Sequence, residues 1–279
     1  MPLTQSASAS RPTRTDWLMS VPFFAMHVGV LAGLFVVRIS WQGLLLSVIV
    51  YYSLMAAVTI GYHRYFSHRS FKTSRAFQFL LAVVCTMSAQ KGVLWWAANH
   101  RHHHRFSDKE DDIHSPTKRG FWWAHVGWIL VNDYSATRSE LVRDLTKFPE
   151  LRWLNRYHLV PVIGFGAVMY LAGGLHGLYW GWVVATVLLW HGTFTVNSLA
   201  HVWGRRRYPT TDTSRNNFWL ALITLGEGWH NNHHYYQSSA RQGFFWWEVD
   251  GSYYLLRLWQ ALGLVWDVRT PPRSVLEAG

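Results

Sequence analysis

The feature that most constrains this chain is a set of long stretches without Asp, Glu, Lys or Arg. Residues 17–37 and 39–62 are two such stretches, separated by Arg38 alone, and residues 157–204 form a third of 48 residues. A helix needs about 20 apolar residues to cross a bilayer. Stretches of this length are therefore poorly explained by a soluble protein with buried helices.

These stretches predict four transmembrane helices in two hairpins. The first two stretches each supply one crossing, and the third is long enough for two, with a turn at Gly173-Gly174-Leu175-His176-Gly177. Residues 76–90 are uncharged over only 15 positions, which favours a buried or interfacial helix over a further crossing. We expect the spans at residues 17–37, 39–62, 157–173 and 178–200.

The composition favours a membrane location. Half of the residues are hydrophobic and 15% are charged, compared with about 25% in an average soluble domain. The 18 Trp and 13 Tyr are residue types that gather at membrane–water interfaces. A membrane surface explains the net charge of +11 better than nucleic acid does, because basic residues alternate with long uncharged runs. The single Cys85 excludes an internal disulfide and cannot form a thiolate metal site alone.

The positions of Lys and Arg predict the orientation in the membrane. Of the 26 Lys and Arg residues, only Arg38 lies in a predicted outer turn, and the positive-inside rule then places both termini in the cytoplasm. We expect an all-α integral membrane protein with a flexible basic tail over 1–16 and a single membrane domain over 17–279. Its cytosolic helical cap would comprise residues 63–156 and 201–279.

Three clusters among the 16 histidines have metal-binding spacing. His63 and His68 form an HxxxxH element, and HxxHH elements begin at His100 and His230. On a helix the positions i, i+3 and i+4 share a face, so two imidazoles a turn apart can bind one metal and the adjacent one can reach a second. Positions five residues apart do not share a face of a regular helix, so one of His63 and His68 is expected where a helix ends. His102 points away from the ligand face.

A fourth element, Asn197-Ser-Leu-Ala-His201, lies at the predicted inner end of the last span, with Asn197 and His201 expected on one face of the helix. The predicted topology brings this element and the three clusters to one side of the membrane, where they can converge. The metal-binding set is then nine imidazoles: His63, His68, His100, His103, His104, His201, His230, His233 and His234. The histidines interpreted as interfacial or hydrogen-bonded are His27, His158, His176 and His191.

The ligand type limits the choice of metal. Nine neutral imidazoles without a thiolate suit Fe, Cu or Zn, and nine are too many for one ion. Zinc would indicate hydrolysis, whereas iron allows O₂ activation. The site lies beside the ends of apolar helices, where the group within reach is an acyl chain. Removing hydrogen from an unactivated methylene is beyond acid–base catalysis and requires a redox cofactor, which favours iron.

Five motifs closely resemble those of the membrane-bound stearoyl-CoA (acyl-CoA delta-9) desaturase family: GYHRYFSHRSFK, NHRHHHRFSDKEDDIH, RGFWWAHVGW, NSLAH and GEGWHNNHH. The resemblance runs from about Gly61 to the end, and GEGWHNNHH followed by SARQG and WWE is similar to the bacterial, cyanobacterial and plant branch. It implies four spans and two Fe²⁺ ions held by the nine histidines. It also implies the insertion of a cis double bond, at delta-9, into a saturated acyl chain with O₂ as co-substrate.

The resemblance also implies roles for residues other than histidine. Asn197 matches the family's asparagine that binds a metal-linked water. Trp96 matches a tryptophan that shapes the family's bent acyl tunnel, and Gln90 and Thr193 match two further residues that line it.

The acyl carrier remains open at this point. Animal members of the family hold CoA partly with an Arg-Asp pair before the second histidine box and two basic residues after HVGW, and the matching positions here are Ala98-Asn99 and Asn132-Asp133. The carrier could be CoA held differently, acyl carrier protein or a glycerolipid. Lys91 and the Arg205–Arg207 run are the first candidates for phosphate contacts, although a solvated patch at the membrane surface also explains the arginines.

Two carboxylates and a redox partner complete the interpretation. Asp112 and Glu227 lie close to the boxes and are expected to orient histidine ligands as hydrogen-bond acceptors. Since no haem or flavin motif is visible, electrons should come from a separate ferredoxin- or cytochrome b5-type donor, and an acidic donor would suit the basic cytosolic face. The alternatives are a di-iron acyl or alkane hydroxylase and a non-catalytic membrane metal-binding protein. The second would need polar ligands inside the spans, where only His27 and His191 lie near mid-depth.

Overall fold

The first hairpin occupies the start of the chain, of which the computed structural model describes residues 14–279. Helix α1 (Trp17–Val36) begins at Asp16, whose side chain caps it by accepting from the Met19 amide, and it ends at the extended Val37. Helix α2 (Trp41–Ala56) begins after the capping residue Ser40 and continues as a π-helix over Ala57–Ser67. The predicted tail lies mostly outside the described residues.

The segment between the two apolar parts of the chain is built of short elements. In chain order they are β1 (Lys72–Thr73), α3 (Arg75–Thr86), α4 (Val93–Phe106), α5 (Pro116–Arg119), α6 (Phe121–His125), three 3₁₀ turns at Gly127–Leu130, Asn132–Tyr134 and Ser139–Leu141, α7 (Arg143–Thr146) and α8 (Pro149–Arg156). At 12 residues, α3 is too short to cross a bilayer, in agreement with the expectation for residues 76–90.

The second apolar part is a helical stretch of 44 residues that reverses direction inside. It comprises α9 (Leu159–Leu178), a π-helix over Tyr179–Val184, α10 (Ala185–Asn197) and α11 (Leu199–Val202). Gly174 has φ 58° and ψ −149°, values that break the helix and suit glycine. On either side of this break Gly166 lies against the Trp182 ring and Gly177 against the Met169 carbonyl. The two halves of the stretch therefore pack against each other.

The remaining elements complete the part of the chain that holds the histidines. They are α12 (Phe218–Ile223), α13 (His230–Tyr235), α14 (Gly251–Ala261), β2 (Val265–Trp266) and α15 (Arg273–Leu276). β1 and β2 form a two-stranded antiparallel sheet, with Lys72 opposite Trp266. The described chain is mostly helical, in agreement with the predicted all-α class, and the two-residue strands carry no periodicity that a sequence pattern could reveal.

Three helical stretches are long and apolar enough to cross a membrane, namely Trp17–Val36, Trp41–Ser67 and Leu159–Val202. Many of their large apolar side chains face outwards, as the exposures of 91% for Phe35, 83% for Trp41 and 83% for Leu171 show. So large an exposed apolar surface is unfavourable in water and needs a lipid environment. The prediction of a membrane protein is thus supported by both length and exposure.

The two hairpins pack together with their turns side by side. Oγ of Ser40, in the first turn, lies 2.8 Å from Nε2 of His176, near the reversal in the second stretch. About two helical turns further along α2, the Ser47 hydroxyl donates to the Trp180 carbonyl at 2.6 Å. At Gly43 the two hairpins meet so closely that a Cβ atom would collide with the Trp180 ring. Small residues that allow such close contact are typical of helix packing in membranes.

We predict that Gly43→Ala destabilises the protein by about 1–3 kcal/mol, the usual cost of overpacking. The added methyl group must displace Trp180 or separate the hairpins. The measurement is the apparent melting temperature of the purified protein in detergent. Gly164→Ala in α9 is the control, because a Cβ at that position meets nothing within 4 Å. Equal melting temperatures for the two variants would contradict the close contact at Gly43.

Candidate metal centre

The HxxxxH element lies on the π-helix that extends α2. In a π-helix the backbone bonds join residues five apart, and the His68 amide donates to the His63 carbonyl at 3.2 Å. This geometry brings the two rings to a centroid distance of 4.8 Å. The prediction that one of the two lies at a helix end is confirmed for His68, which follows the last π-helical residue.

The HxxHH elements lie on α4 and α13, and each helix distributes its histidines between two groups. His100 and His104 of α4 meet His233 of α13, whereas His103 of α4 meets His230 and His234 of α13. The first group is His63, His68, His100, His104 and His233, and the second is His103, His201, His230 and His234. The structure therefore brings all nine predicted histidines together, five in one group and four in the other.

Within each group the ring nitrogens face one another at the spacing of ligands around one ion. All ligand atoms of a group lie within 4.8 Å of one another. In the first group, Nε2 of His233 lies 3.0 Å from Nε2 of both His63 and His104. In the second, Nε2 of His201 and His230 are 3.1 Å apart. Two nitrogens about 2.1 Å from a common ion would be separated by a similar distance.

Four carboxylates hold four of these rings from behind. Nδ1 of His63 lies 2.5 Å from Glu227 and Nδ1 of His103 lies 2.9 Å from Asp112. Nδ1 of His234 lies 2.7 Å from Asp212, and Nδ1 of His201 lies 3.3 Å from Asp108. A carboxylate accepts the Nδ1 proton, so the Nε2 lone pair of each neutral ring is left for the centre of its group. This arrangement is common behind histidines that bind metals.

The sequence had pointed to two of these carboxylates and missed the others. Asp112 and Glu227 were expected to orient histidines, and each contacts the Nδ1 atom of one. Asp108 lies four residues before Asp112 in the same motif, a spacing that could have drawn attention to it. Asp212 belongs to a loop with no comparable pattern, where its other oxygen accepts from the backbone and hydroxyl of Ser214.

Lowered pKa values keep six of the nine histidines neutral, whereas the carboxylate of Asp112 raises the pKa of His103 against the effect of burial. Burial and the neighbouring imidazoles hold the pKa values of His68, His100, His104, His230 and His233 well below the usual value. Burial likewise lowers the pKa of His234 to about 4, although Asp212 opposes the shift. Burial alone would raise the pKa of Asp112, but His103 outweighs it and the net shift is downward. Neutral imidazoles backed by ionised carboxylates are the protonation states that metal binding requires.

One buried nitrogen gives a direct test of whether these groups suit a metal. Nε2 of His234 is buried and has no hydrogen-bond partner among residues 14–279, while Nδ1 of the same ring is held by Asp212. A buried polar atom without a partner costs free energy. A cation bound between His103, His201, His230 and His234 would satisfy it, so the donor set fits a metal.

His114 is a buried histidine that the sequence analysis did not single out. Its ring lies 4.2 Å from that of His103, measured between centroids, and its backbone amide donates to Asp112 at 3.3 Å. His103, Asp112 and His114 form a third set of potential ligand atoms. His114 therefore adjoins the second group through His103.

The three residues matched to an acyl tunnel lie together beside the first group. The Trp96 indole donates to the Gln90 side chain at 3.2 Å, and Gln90 in turn donates to the Thr193 hydroxyl at 3.1 Å. The Trp96 ring stacks on His100 at a centroid distance of 5.0 Å and on Tyr62 at 5.2 Å. Two hydrogen bonds thus connect Thr193 of α10 to Trp96, whose ring stacks on a histidine of the first group.

The helix that carries Asn197 ends before His201, which differs from the expectation. It is the last residue of α10, and the backbone turns at Ser198 before His201 follows in α11. The two residues were expected on one face of a continuous helix, and the helix is interrupted between them. The Asn197 side chain is half-buried and makes no hydrogen bond to the described part of the chain, so its amide is available to a bound molecule.

The histidines inside the apolar helices are satisfied by hydrogen bonds, as predicted. Nδ1 of His27 donates to the Phe23 carbonyl at 2.7 Å, so its Nε2 accepts from Nε2 of His191 at 2.9 Å. Nδ1 of His191 then accepts from Nε2 of His125 at 3.0 Å, and Nδ1 of His125 lies 2.9 Å from the Ser198 hydroxyl. This chain satisfies each imidazole within apolar surroundings, where an unpaired polar group would be costly.

Asp112→Asn is predicted to weaken metal binding by about 10–100-fold, the usual effect of removing a partner that orients a ligand. The amide keeps the size of the side chain but removes the charge that orients His103. Asp111→Asn is the matched control, because Asp111 is adjacent and exposed and carries the same carboxylate. The measurement is metal content after dialysis against a graded chelator, and equal retention by the two variants would contradict the role of Asp112.

Comparison with known proteins is consistent with this geometry. A family model described as fatty acid desaturase matches residues 39–250. Delta-9 acyl-lipid desaturase 2 of Arabidopsis thaliana is 38% identical over 264 residues, covering 94% of this chain and 85% of that protein. The sn-2 palmitoyl-lipid 9-desaturase of Nostoc sp. (strain 36) is 36% identical, covering 97% and 98%. The icosanoyl-CoA 5-desaturase of Limnanthes douglasii is 36% identical, covering 84% and 67%.

These matches confirm the resemblance drawn from the motifs, including its plant and cyanobacterial character. The family model spans most of the chain and includes all nine histidines of the two groups. The relatives share one reaction type and differ in the acyl carrier that their names give. The chain belongs to the fatty acid desaturase family, and it is a fatty acyl desaturase, an oxidoreductase.

Proposed function

We propose that this enzyme inserts a cis double bond at the delta-9 position of a saturated acyl chain at a centre of two irons. The observation that carries the proposal is the pair of histidine groups, whose Nε2 atoms converge while carboxylates hold four of the rings. Bound iron would supply the oxidation of an unactivated C–H bond by O₂. Desaturation consumes O₂, two electrons and two protons with the two hydrogens of the substrate, and it releases two waters.

The residues of the chain would hold and orient the reactants. The first ion would be bound by His63, His68, His100, His104 and His233, and the second by His103, His201, His230 and His234. The Asn197 amide, which has no partner among the described residues, would hold a water near the second ion. Gln90, Trp96 and Thr193 would line the acyl chain where it passes the first group.

We also propose that the chain crosses the membrane four times, with both termini and the histidine-bearing cap in the cytoplasm. The reversal at Gly174 and the packing of Gly166 on Trp182 support two crossings by the stretch Leu159–Val202. The contact between Ser40 and His176 supports both turns lying on one side of the membrane. A small ferredoxin or a cytochrome b5-type protein would deliver electrons to the basic cytoplasmic face.

The test of function is the product. Expressed in cells that cannot make unsaturated fatty acids, the protein should generate delta-9 monounsaturated chains, which mass spectrometry of derivatised lipids identifies. Purified protein should contain two iron atoms per chain. An alcohol as the product would indicate hydroxylation, and bound metal without either product would indicate a non-catalytic metal-binding protein.

Adjacent histidines provide a matched control for that assay. His103→Ala should abolish both the product and the retention of the second iron, because the ring belongs to the second group. His102→Ala should retain most activity, since the His102 ring turns outwards and contacts the Asp111 carbonyl at 2.8 Å. Similar losses in both variants would count against the division of α4 into a ligand face and an outer face.

Cysteine labelling tests the topology against a clean background, because the native Cys85 is buried. Arg38→Cys and Gly173→Cys should react with a membrane-impermeant maleimide added outside right-side-out vesicles. Glu140→Cys and Ala278→Cys should react only after permeabilisation. All four positions are exposed, so access to reagent alone decides the labelling. External labelling at position 140 would overturn the cytoplasmic placement of the cap.

A further inference from the structure

A cavity of about 780 Å³ opens beside the second histidine group. Trp203 follows His201 by two residues, and Trp229 immediately precedes His230, so two walls of the cavity adjoin residues of that group. The volume lies within the range of about 300–1,000 Å³ that is usual for sites of small ligands. Its chemically distinctive lining is three consecutive arginines and four tryptophans: Arg205, Arg206, Arg207, Trp203, Trp219, Trp229 and Trp247.

The arginines leave the cavity with uncompensated positive charge. Arg207 is paired with Glu248 at 2.6 Å, so these two charges cancel, and Gly279 lies against Arg207. Arg206 donates to the carbonyl and hydroxyl of Thr210, which carry no charge. The Arg205 side chain is exposed and has no hydrogen bond or ion pair with the part of the chain that the structure describes. Arg205 and Arg206 are therefore two guanidinium groups available to an anion.

The aromatic residues place the cavity at a lipid interface. Trp203 is 51% exposed, Trp219 is 64% exposed and Trp247 is 51% exposed. Exposed indoles beside basic residues at the end of an apolar helix are typical of the membrane–water boundary. A ligand that enters here would come from the headgroup region of the leaflet.

Lys91, the other basic residue considered for the carrier, is poorly suited to hold a phosphate. Its ammonium lies 4.5 Å above the Trp95 ring, and burial lowers the pKa of Lys91. Among the residues matched to the CoA contacts of animal enzymes, Asn99 is buried and already donates to the Trp95 carbonyl, while Asp133 is exposed and acidic. Of the two candidates for phosphate contacts, Lys91 and the Arg205–Arg207 run, the arginines that line the cavity are therefore the better suited.

We propose that this cavity binds the phosphodiester headgroup of a glycerophospholipid whose acyl chain is the substrate. Guanidinium groups bind phosphate oxygens through paired, charge-assisted hydrogen bonds, and the tryptophans contact the glycerol and the start of the chains. The inference rests on the proposed desaturase function and adds the identity of the molecule that carries the acyl chain. The headgroup is held beside the second histidine group, and the substrate reaches the centre without leaving the membrane.

The experiment measures kinetics of the iron-loaded enzyme with an electron-transfer system. One stearoyl chain is offered on phosphatidylglycerol, on an uncharged galactolipid and on CoA. For Arg205→Gln and for the double variant R205Q/R206Q, the KM for phosphatidylglycerol should rise about tenfold or more. The kcat and the iron content should stay within about twofold of the wild-type values. The contact between arginine and headgroup stabilises the bound ground state and the transition state equally, so its loss raises only KM. The KM for the galactolipid should change little.

The control variant is R143Q/R257Q, which removes two exposed arginines that do not line the cavity. An unchanged KM for phosphatidylglycerol in R205Q/R206Q, or an equal rise in this control, overturns the proposal. A rise confined to acyl-CoA also overturns it, because the phosphate bound would then be that of CoA. If the wild-type enzyme desaturates none of the three substrates, it is the proposed function that fails and not the headgroup site alone.

Discussion

The structure depends on a buried arginine held between two carboxylates. Arg64 is only 1% exposed and contacts Glu227 at 3.1 Å and Asp250 at 2.9 Å. A charge in such a place is strongly destabilising unless it is paired and hydrogen-bonded. The three residues come from the π-helix, the segment before α13 and the start of α14, where Asp250 also caps the helix through the Tyr253 amide. One guanidinium thus ties together three parts of the chain that are distant in sequence.

That ion-pair network also reaches the first histidine group. Glu227 contacts Arg64 through one oxygen and His63 through the other, so the charge that stabilises the buried arginine also orients an imidazole. Asp108, Asp112 and Asp212 also contact the Nδ1 atom of a histidine, and none of the three has an arginine partner among residues 14–279. The electrostatic cost of burying these carboxylates is offset by hydrogen bonds that include histidine Nδ1 atoms, backbone amides and hydroxyl groups.

Much of this could be predicted from the sequence, because two strong periodicities were present. Uncharged stretches of more than 20 residues can be explained in few ways, and His at i, i+3 and i+4 has a fixed geometry on a helix. The division of α4 and α13 between two groups follows directly from that spacing. The HxxxxH element was harder, since its rings meet only because the helix widens to the π form before His68.

The parts that were not predicted depend on contacts between segments with no shared pattern. Asp212 lies 22 residues before His234, and Asp108 lies 93 residues before His201. Nothing in the sequence separation between these aspartates and their histidines distinguishes the aspartates from exposed acidic residues. The break at Ser198 between Asn197 and His201 was likewise missed, because the sequence there continues an apolar helical pattern.

Each of α4 and α13 carries histidines of both groups, and this has a mechanical consequence. His103 and His104 are consecutive residues of one helix, as are His233 and His234, yet the members of each pair belong to different groups. Any shift or rotation of either helix therefore moves ligand atoms of both groups at once. The separation of the two groups is therefore set by the backbones of these two helices.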